Sequence, residues 1–260
     1  MALNLGVGFP SILEVGTLPT DLDKANIIDI NWLKEKNSKV FDTNPNFVCE
    51  VPSLSGNYVV KWFGWRSPFH YYISPFIKSR AQVSWDIANA MKDSGVGTPN
   101  TVFMCTFREK GYIKENVFIT TAIHNHQTLR AWLRSYPDED NVKIVLSKLA
   151  DNLSRMHNAG IFHNDLTIGN ILLDDELEIY LVDLNRGEQI APKINKCLKD
   201  LSKLFFGPAE KNELDNRISF FFKEYGKYIQ FNLDWESGYQ KERAKRDKIK
   251  KIKRRIKLLF

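Results

Sequence analysis

The sequence predicts an α+β protein of two lobes, a small β-rich lobe over residues 40–123 followed by a mainly helical one over 124–240. Three observations carry that expectation. Short apolar runs typical of strands fill 47–63 and 101–121, with a single helical pattern between them. From Thr128 onward the apolar periodicity turns helical over long windows. Inside that second half a short hairpin, Ile171 to Leu173 and Ile179 to Val182 around the acidic turn Asp174, Asp175 and Glu176, carries polar residues at the ends of its strands. With 260 residues, 43% hydrophobic and 12% aromatic, the chain has material for one large domain or two small lobes with a substantial core.

Residues 1–39 form an N-terminal extension without an assigned role. Pro10, Gly16 and Pro19 punctuate its first part, while Ile27 to Trp32 suits a short helix and Val40 to Phe41 a strand. Next, F-V-C-E-V from Phe47, a turn from Ser53 to Asn57 and Y-V-V-K-W-F read as a β-hairpin whose second strand carries Lys61. Arg80 to Asp93 reads as a helix, with Val83, Ile87, Ala90 and Met91 on one face and Gly95, Gly97 and Pro99 as its stop. Two strands, Thr101 to Phe107 and Tyr112 to Thr121, are joined at Lys110-Gly111, and Thr120 to Asn125 forms the crossing between lobes. His124 and His126 have no Cys or carboxylate beside them and read as plain polar residues there. Thr128 to Tyr136 and Asp138 to Asn158 are helices, the second with Val142, Val145, Leu146, Leu149, Leu153 and Met156 on one face that packs under the hairpin. A further helix starts near Lys196.

The chemistry concentrates between Ile161 and Arg186. H-x-D-L-x-x-x-N, formed by His163, Asp165, Leu166 and Asn170, precedes a strand that is followed by Asp183 at the end of its partner. This is the spacing of the catalytic loop and metal-binding Asp of the protein-kinase-like fold, so the expected fold class is a bilobal protein-kinase-like α+β fold. Asp165 is placed to accept the proton of an attacking hydroxyl. Asn170 and Asp183 offer the oxygen ligands that Mg²⁺, a hard cation, requires. Lys61, in a V-V-K strand, stands where that fold anchors the nucleotide phosphates. The glycine-rich loop G-x-G-x-x-G is missing; the preceding turn offers only Asp42, Thr43, Asn44, Pro45 and Asn46.

H-N-D-L-T-I-G-N-I-L-L together with L-V-D-L-N-R resembles the lipopolysaccharide kinases, which phosphorylate Kdo and heptose sugars of the lipopolysaccharide inner core. The likeness runs from about Lys61 to Asp200 and includes the Asn185-Arg186 pair after the metal Asp. It implies ATP and Mg²⁺ as cofactors and a core glycolipid or other sugar as acceptor. It also implies that Asp86, at the position where that family usually has a Glu, pairs with Lys61, and that His163 packs and hydrogen-bonds without acid–base work. Asp200, in a D-L-x-x-L element resembling the family's, is read either as a brace for the catalytic loop or as exposed. Asn164 replaces the Arg that contacts an activation-loop phosphate, so regulation by loop phosphorylation is not expected; no A-P-E follows Asp183, so a small-molecule or glycolipid acceptor is favoured over a protein. A Ser, Thr or Tyr protein kinase would share the catalytic residues. A small-metabolite kinase leaves the basic tail without purpose, and a pseudokinase binding module is suggested by the missing glycine-rich loop and by Asp86.

The charge is distributed unevenly. From Lys241 to Lys257 eleven Lys or Arg stand against Glu242 and Asp247, so this tail holds +9 and the rest of a chain of net +6 is −3. Its Ile249, Ile252, Ile256, Leu259 and Phe260 make one narrow apolar stripe, and residues 241–260 are expected to be a basic amphipathic helix on the anionic inner-membrane surface. No aromatics interleave the charges, so no nucleic acid is expected as partner. Cys49, Cys105 and Cys197 are odd in number and far apart, which suggests a reducing compartment without disulfides. Met1 to Gly16 is a poor signal peptide and no apolar run is long enough to span a bilayer. The expected location is cytoplasmic, peripherally associated with the inner membrane.

Overall fold

The computed structural model describes residues 11–65 and 67–257. The chain divides into two compact units, Met1–Asn89 with Pro99–Ile123, and Ala90–Thr98 with His124–Phe260.

In the first unit the elements are β1 (Ser11–Gly16), α1 (Lys24–Ile28), α2 (Ile30–Lys36), β2 (Lys39–Asp42), β3 (Asn46–Ser53), β4 (Gly56–Phe63), α3 (Pro68–Ile73), α4 (Arg80–Asp93) as far as Asn89, β5 (Thr101–Glu109) and β6 (Tyr112–Thr121). The strands form one antiparallel sheet in the order β1-β5-β6-β4-β3-β2. Its two tight hairpins follow from local chemistry. Lys110 and Gly111 both have positive φ, 49° and 83°, which suits a two-residue turn matching the strand twist. At the β3–β4 turn the Asp21 carboxylate accepts from Ser53 Oγ at 2.6 Å and from Leu54 N at 2.8 Å.

Residues 11–39, part of the stretch to which the sequence assigns no role, are integral to this unit. β1 pairs with β5 at one sheet edge, and Ile27 and Leu33 are buried in the apolar cluster with Phe47, Cys49, Val51, Val60, Phe103, Cys105, Val117 and Ile119. Alternation along β3 and β4 puts these residues on one face. α4 occupies the residues its periodicity predicts and ends at Gly95, with Val96 N donating to Met91 O at 2.9 Å. α3 and a 3-10 turn over Ser74–Phe76 are additions that the sequence reading does not include.

In the second unit the chain runs through β7 (Gln127–Thr128), α5 (Leu129–Arg134), α6 (Glu139–Asn158), β8 (Ile161–Phe162), β9 (Ile171–Leu173), β10 (Ile179–Leu181), β11 (Glu188–Gln189), α7 (Ile194–Leu201), α8 (Lys211–Tyr228) and α9 (Trp235–Lys257). Thr128 and Asp138 cap α5 and α6 by accepting from Ala131 N and Asn141 N. All six apolar residues expected on one face of α6 are buried. That face packs chiefly on α8 (Ile218, Phe221, Phe222 and Tyr225) and reaches β8 and β10 as well, so the expectation that it lies under the hairpin is only part of its role. Sequence reading passes over α8, although its apolar spacing of 3, 1 and 3 is a helical signal.

α9 begins at Trp235, ahead of the expected start of the tail at 241. Tyr239 is fully buried and its hydroxyl donates to Leu204 O at 3.1 Å, as does Arg243 Nη1 at 2.9 Å. The first half of α9 is therefore core, and from Lys248 to Arg255 the helix is exposed. Of the expected stripe, Ile249 and Ile252 are exposed; the side chain of Ile256, and Leu259 and Phe260, lie outside the described residues. No described helix is long and apolar enough to cross a membrane. Burial pushes the thiols of Cys49 and Cys197 up to about 12 and that of Cys105 to about 11, and all three are free.

Candidate active site

β9 and β10 pair antiparallel with Ile171 opposite Leu181, and Val182 N then donates to Asn170 O at 3.0 Å. Asn170 and Asp183 thus leave the same end of one hairpin. At its other end Asp174 Oδ1 accepts from Glu176 N and Glu178 N, which closes the acidic turn. The loop between β8 and β9 carries Asp165 to that site. Gly160, at φ +69°, turns the chain out of α6 into β8; a Cβ there would lie 1.9 Å from Ile190 O, so no larger residue fits.

The loop is held by a fully buried His163. Its Nε2 lies 2.9 Å from Val182 O, and Asp165 N lies 3.3 Å from Nδ1, so both ring nitrogens hold the loop. Asp200, on α7, is 1% exposed and accepts from two successive amides, His163 N at 2.7 Å and Asn164 N at 2.8 Å. Of the two readings of Asp200, the structure selects the brace. Burial alone would raise its carboxyl, but the neighbouring His157 and His163 rings and the His163 N–H outweigh burial and hold it below the usual range. Asn164, at φ 59°, donates to Arg186 O at 3.1 Å and Glu188 Oε1 at 2.8 Å, tying the loop to the strap that follows Asp183.

Asp165 is 28% exposed and bordered by two cations. Arg186 Nη1 is 2.9 Å from Oδ2, and Lys203 Nζ is 3.8 Å from Oδ1 while donating to Asn164 O. Burial pulls the Lys203 ammonium down, against the opposing pull of Asp200 and Asp165. Asn170 Nδ2 donates to Asp165 O at 2.9 Å, which leaves its Oδ1 as an oxygen donor. Asp183 adopts φ 65°, and its Oδ1 accepts from Asn185 Nδ2. Buried Asn185 has an Oδ1 with no hydrogen-bond partner among the described residues. The sequence offers no signal for Lys203; Arg186 is visible as part of the N-R pair, but not its contact with Asp165.

The donor set suits Mg²⁺. Asn170 and Asp183 supply only oxygen, and Mg²⁺ takes one or two protein carboxylates with the rest from substrate phosphates and water. No cluster of three or more His, Cys, Asp or Glu residues that could hold a metal occurs among the described residues.

In the first unit, Lys61 lies on β4, opposite Val48 of β3 and Phe118 of β6, with its Nζ 5.3 Å from the Phe63 ring centroid. Asp86 is exposed on α4 and engages Lys78 Nζ at 2.7 Å. In the turn before β3, Asp42 Oδ1 accepts from Thr43 N at 2.8 Å and Asn44 N at 3.4 Å, so its own side chain occupies two amides of that turn.

An antiparallel sheet unit, a helical unit and a His-x-Asp loop beside a hairpin ending in Asn and Asp define a protein-kinase-like fold. Residues 65–225 match the lipopolysaccharide kinase (Kdo/WaaP) family, and the chain belongs to it. It is 24% identical over 116 residues to the 3-deoxy-D-manno-octulosonic acid kinase of Vibrio cholerae serotype O1, covering 45% of this chain and 48% of that protein. It is 28% identical over 163 residues to the lipopolysaccharide core heptose(I) kinase WaaP of Escherichia coli K12, covering 56% and 59%. The chain spans about half the length of the curated relatives it matches. A solved structure of WaaP in complex with acyl carrier protein superposes with TM-score 0.60 at 17% identity, covering 83% of this chain and 89% of that one, a likeness of fold.

Proposed function

We propose that the protein transfers the γ-phosphoryl group of ATP to a sugar hydroxyl, Kdo or heptose, of the lipopolysaccharide inner core. The observation that carries this reading is the meeting of Asp165, Asn170 and Asp183 at one hairpin in a chain of the Kdo/WaaP family. Asp165 is the base. Arg186 already engages Oδ2, so Oδ1, which Lys203 Nζ approaches only to 3.8 Å, takes the proton of the acceptor hydroxyl as the hydroxyl oxygen bonds to the γ-phosphorus and the phosphorus–oxygen bond to ADP breaks. Mg²⁺, held by Asn170 and Asp183, would neutralise charge on the phosphates. Lys61 anchors the α- and β-phosphates, and Asp86, which engages Lys78 Nζ, is its proposed partner. Incubation with labelled ATP and either purified core glycolipid or denatured cell protein tests the reading. Label is expected in the glycolipid. Label confined to protein would favour the protein-kinase alternative, and neither turnover nor a Mg²⁺-dependent thermal shift with ATP would favour a pseudokinase.

The exposed basic half of α9 is proposed to hold the protein to anionic lipid of the inner-membrane surface. Each basic residue near such a surface contributes on the order of 1 kcal/mol. Because Arg243 and Arg246 bond to Leu204 O and Ser202 O, deletion from Lys241 would also disturb the core. The cleaner variant reverses Lys250, Lys251, Lys253 and Arg254 to Glu in the full chain. It is expected to lose most co-sedimentation with phosphatidylglycerol vesicles at 0.1 M salt while keeping turnover on a soluble acceptor fragment. Equal sedimentation of variant and wild type removes the tail from membrane attachment.

A further inference from the structure

Between Trp65 and Arg80 the chain contains no Asp or Glu, three Lys or Arg, and the aromatics Trp65, Phe69, Tyr71, Tyr72 and Phe76. α3 and the 3-10 turn divide these side chains between two faces. The inner face is fixed firmly to the sheet. The Tyr71 ring stacks on Tyr112 with centroids 5.2 Å apart, and Ser74 Oγ accepts from Ile113 N at 3.1 Å. Arg108 donates to Ser74 O and Ile77 O, each at 2.8 Å. The outer face is apolar and bare: Phe69 is 67% exposed, Tyr72 65% and Phe76 82%, with Ile77 beside them. Phe69 and Tyr72 stand one turn apart on α3, and Phe76 ends the 3-10 turn that follows it.

Several large exposed aromatics on a well-anchored support mark an interaction surface rather than loose packing. Aromatic rings favour the boundary between acyl chains and head groups, and the segment has no Asp or Glu of its own to repel anionic head groups; of its cations, Lys78 pairs with Asp86 of α4 and Arg80 bonds to Asn46 and Gly64 O. We infer that Phe69, Tyr72, Phe76 and Ile77 form an interfacial wedge that inserts into an anionic bilayer, an attachment separate from the basic half of α9. Insertion of a pre-ordered element loses little conformational entropy, since Arg108 and Ser74 already hold the backbone that carries the rings. The inference does not depend on the proposed kinase activity, because insertion is read on vesicles without ATP or acceptor.

The three native thiols are buried, so a cysteine introduced at position 76 is the site that takes an environment-sensitive dye. The full-length Phe76→Cys protein is labelled and mixed with phosphatidylglycerol-containing or pure phosphatidylcholine vesicles. The same dye on Leu54→Cys serves as control, since Leu54 is 93% exposed on the β3–β4 turn, at the end of β4 remote from α3. The dye at 76 is expected to shift to the blue with anionic vesicles, and the dye at 54 to stay put. The Phe69→Ser, Tyr72→Ser, Phe76→Ser variant is expected to partition about tenfold or more weakly with an unchanged melting temperature. The blue shift is expected to survive, at higher lipid concentration, in the variant with the four α9 charges reversed. No shift at 76, an equal shift at 54, or unchanged partition of the triple-serine protein overturns the wedge; the last result leaves this face to a protein partner.

Discussion

Asp165→Asn is expected to lower turnover by a factor of about 10² to 10⁴, the range for removing a general base, while the melting temperature hardly moves. Asn is nearly isosteric but cannot take a proton. Asp165 makes its ion pair from a partly exposed position beside Arg186, itself exposed, and such pairs contribute little to stability. Binding of Mg²⁺ and ATP, followed by thermal shift, should persist, because the residues proposed for it are Lys61, Asn170 and Asp183. Turnover at the wild-type rate would take Asp165 out of the mechanism.

Asp200→Ala is expected to damage both stability and turnover, with no contact to substrate. Its carboxylate is the acceptor for His163 N and Asn164 N, and each buried amide left without one costs about 1–3 kcal/mol. A loss of about 3 kcal/mol corresponds to about 6–12 °C in melting temperature for a unit of this size. Turnover should fall further than folding accounts for, since the amides lead directly into Asp165. Asp200→Asn keeps one acceptor oxygen and should lie between. The linkage has a definite sign. Because the folded carboxyl titrates below its unfolded value of about 3.9, its contribution is fully present above about pH 4 and fades as pH falls through the folded value. Melting temperatures of wild type and Asp200→Ala should therefore converge in acid. An unchanged difference at low pH would mean that the carboxylate charge is not what holds the loop.

Much of the fold was legible because its signals are local. The helix over Arg80–Asp93 and the strands at Tyr112–Thr121 and Ile171–Leu173 fall where periodicity, Gly95 and the acidic turn put them. α8 carries a helical spacing that the sequence alone left unused, and α3 leaves no core signal because Phe69 and Tyr72 are exposed and only Tyr71 packs inward. The stretch before residue 40 could not be assigned because β1 gains its place only by pairing with β5, far along the chain.

Sequence by itself determined the placement that is written in short spacing. His163, Asp165 and Asn170 share one loop, and a hairpin closed by Asp174 must return Asp183 beside Asn170 whatever surrounds it. Only the tertiary structure decided what acts on those groups. Asp200 and Lys203 reach the loop from the end of α7, and Arg186 reaches it from the strap after β10, because packing of α7 brings its end beneath residues 163–165. Pairings across tens of residues leave no pattern in the intervening sequence, and a Lys that ends beside a carboxylate looks like any solvated Lys until the fold places it. The same reason separates the two halves of α9. Their shared basic composition is continuous, yet Tyr239, Arg243 and Arg246 find Ser202 and Leu204 to bond to, while Lys248 to Arg255 extend beyond them into solvent.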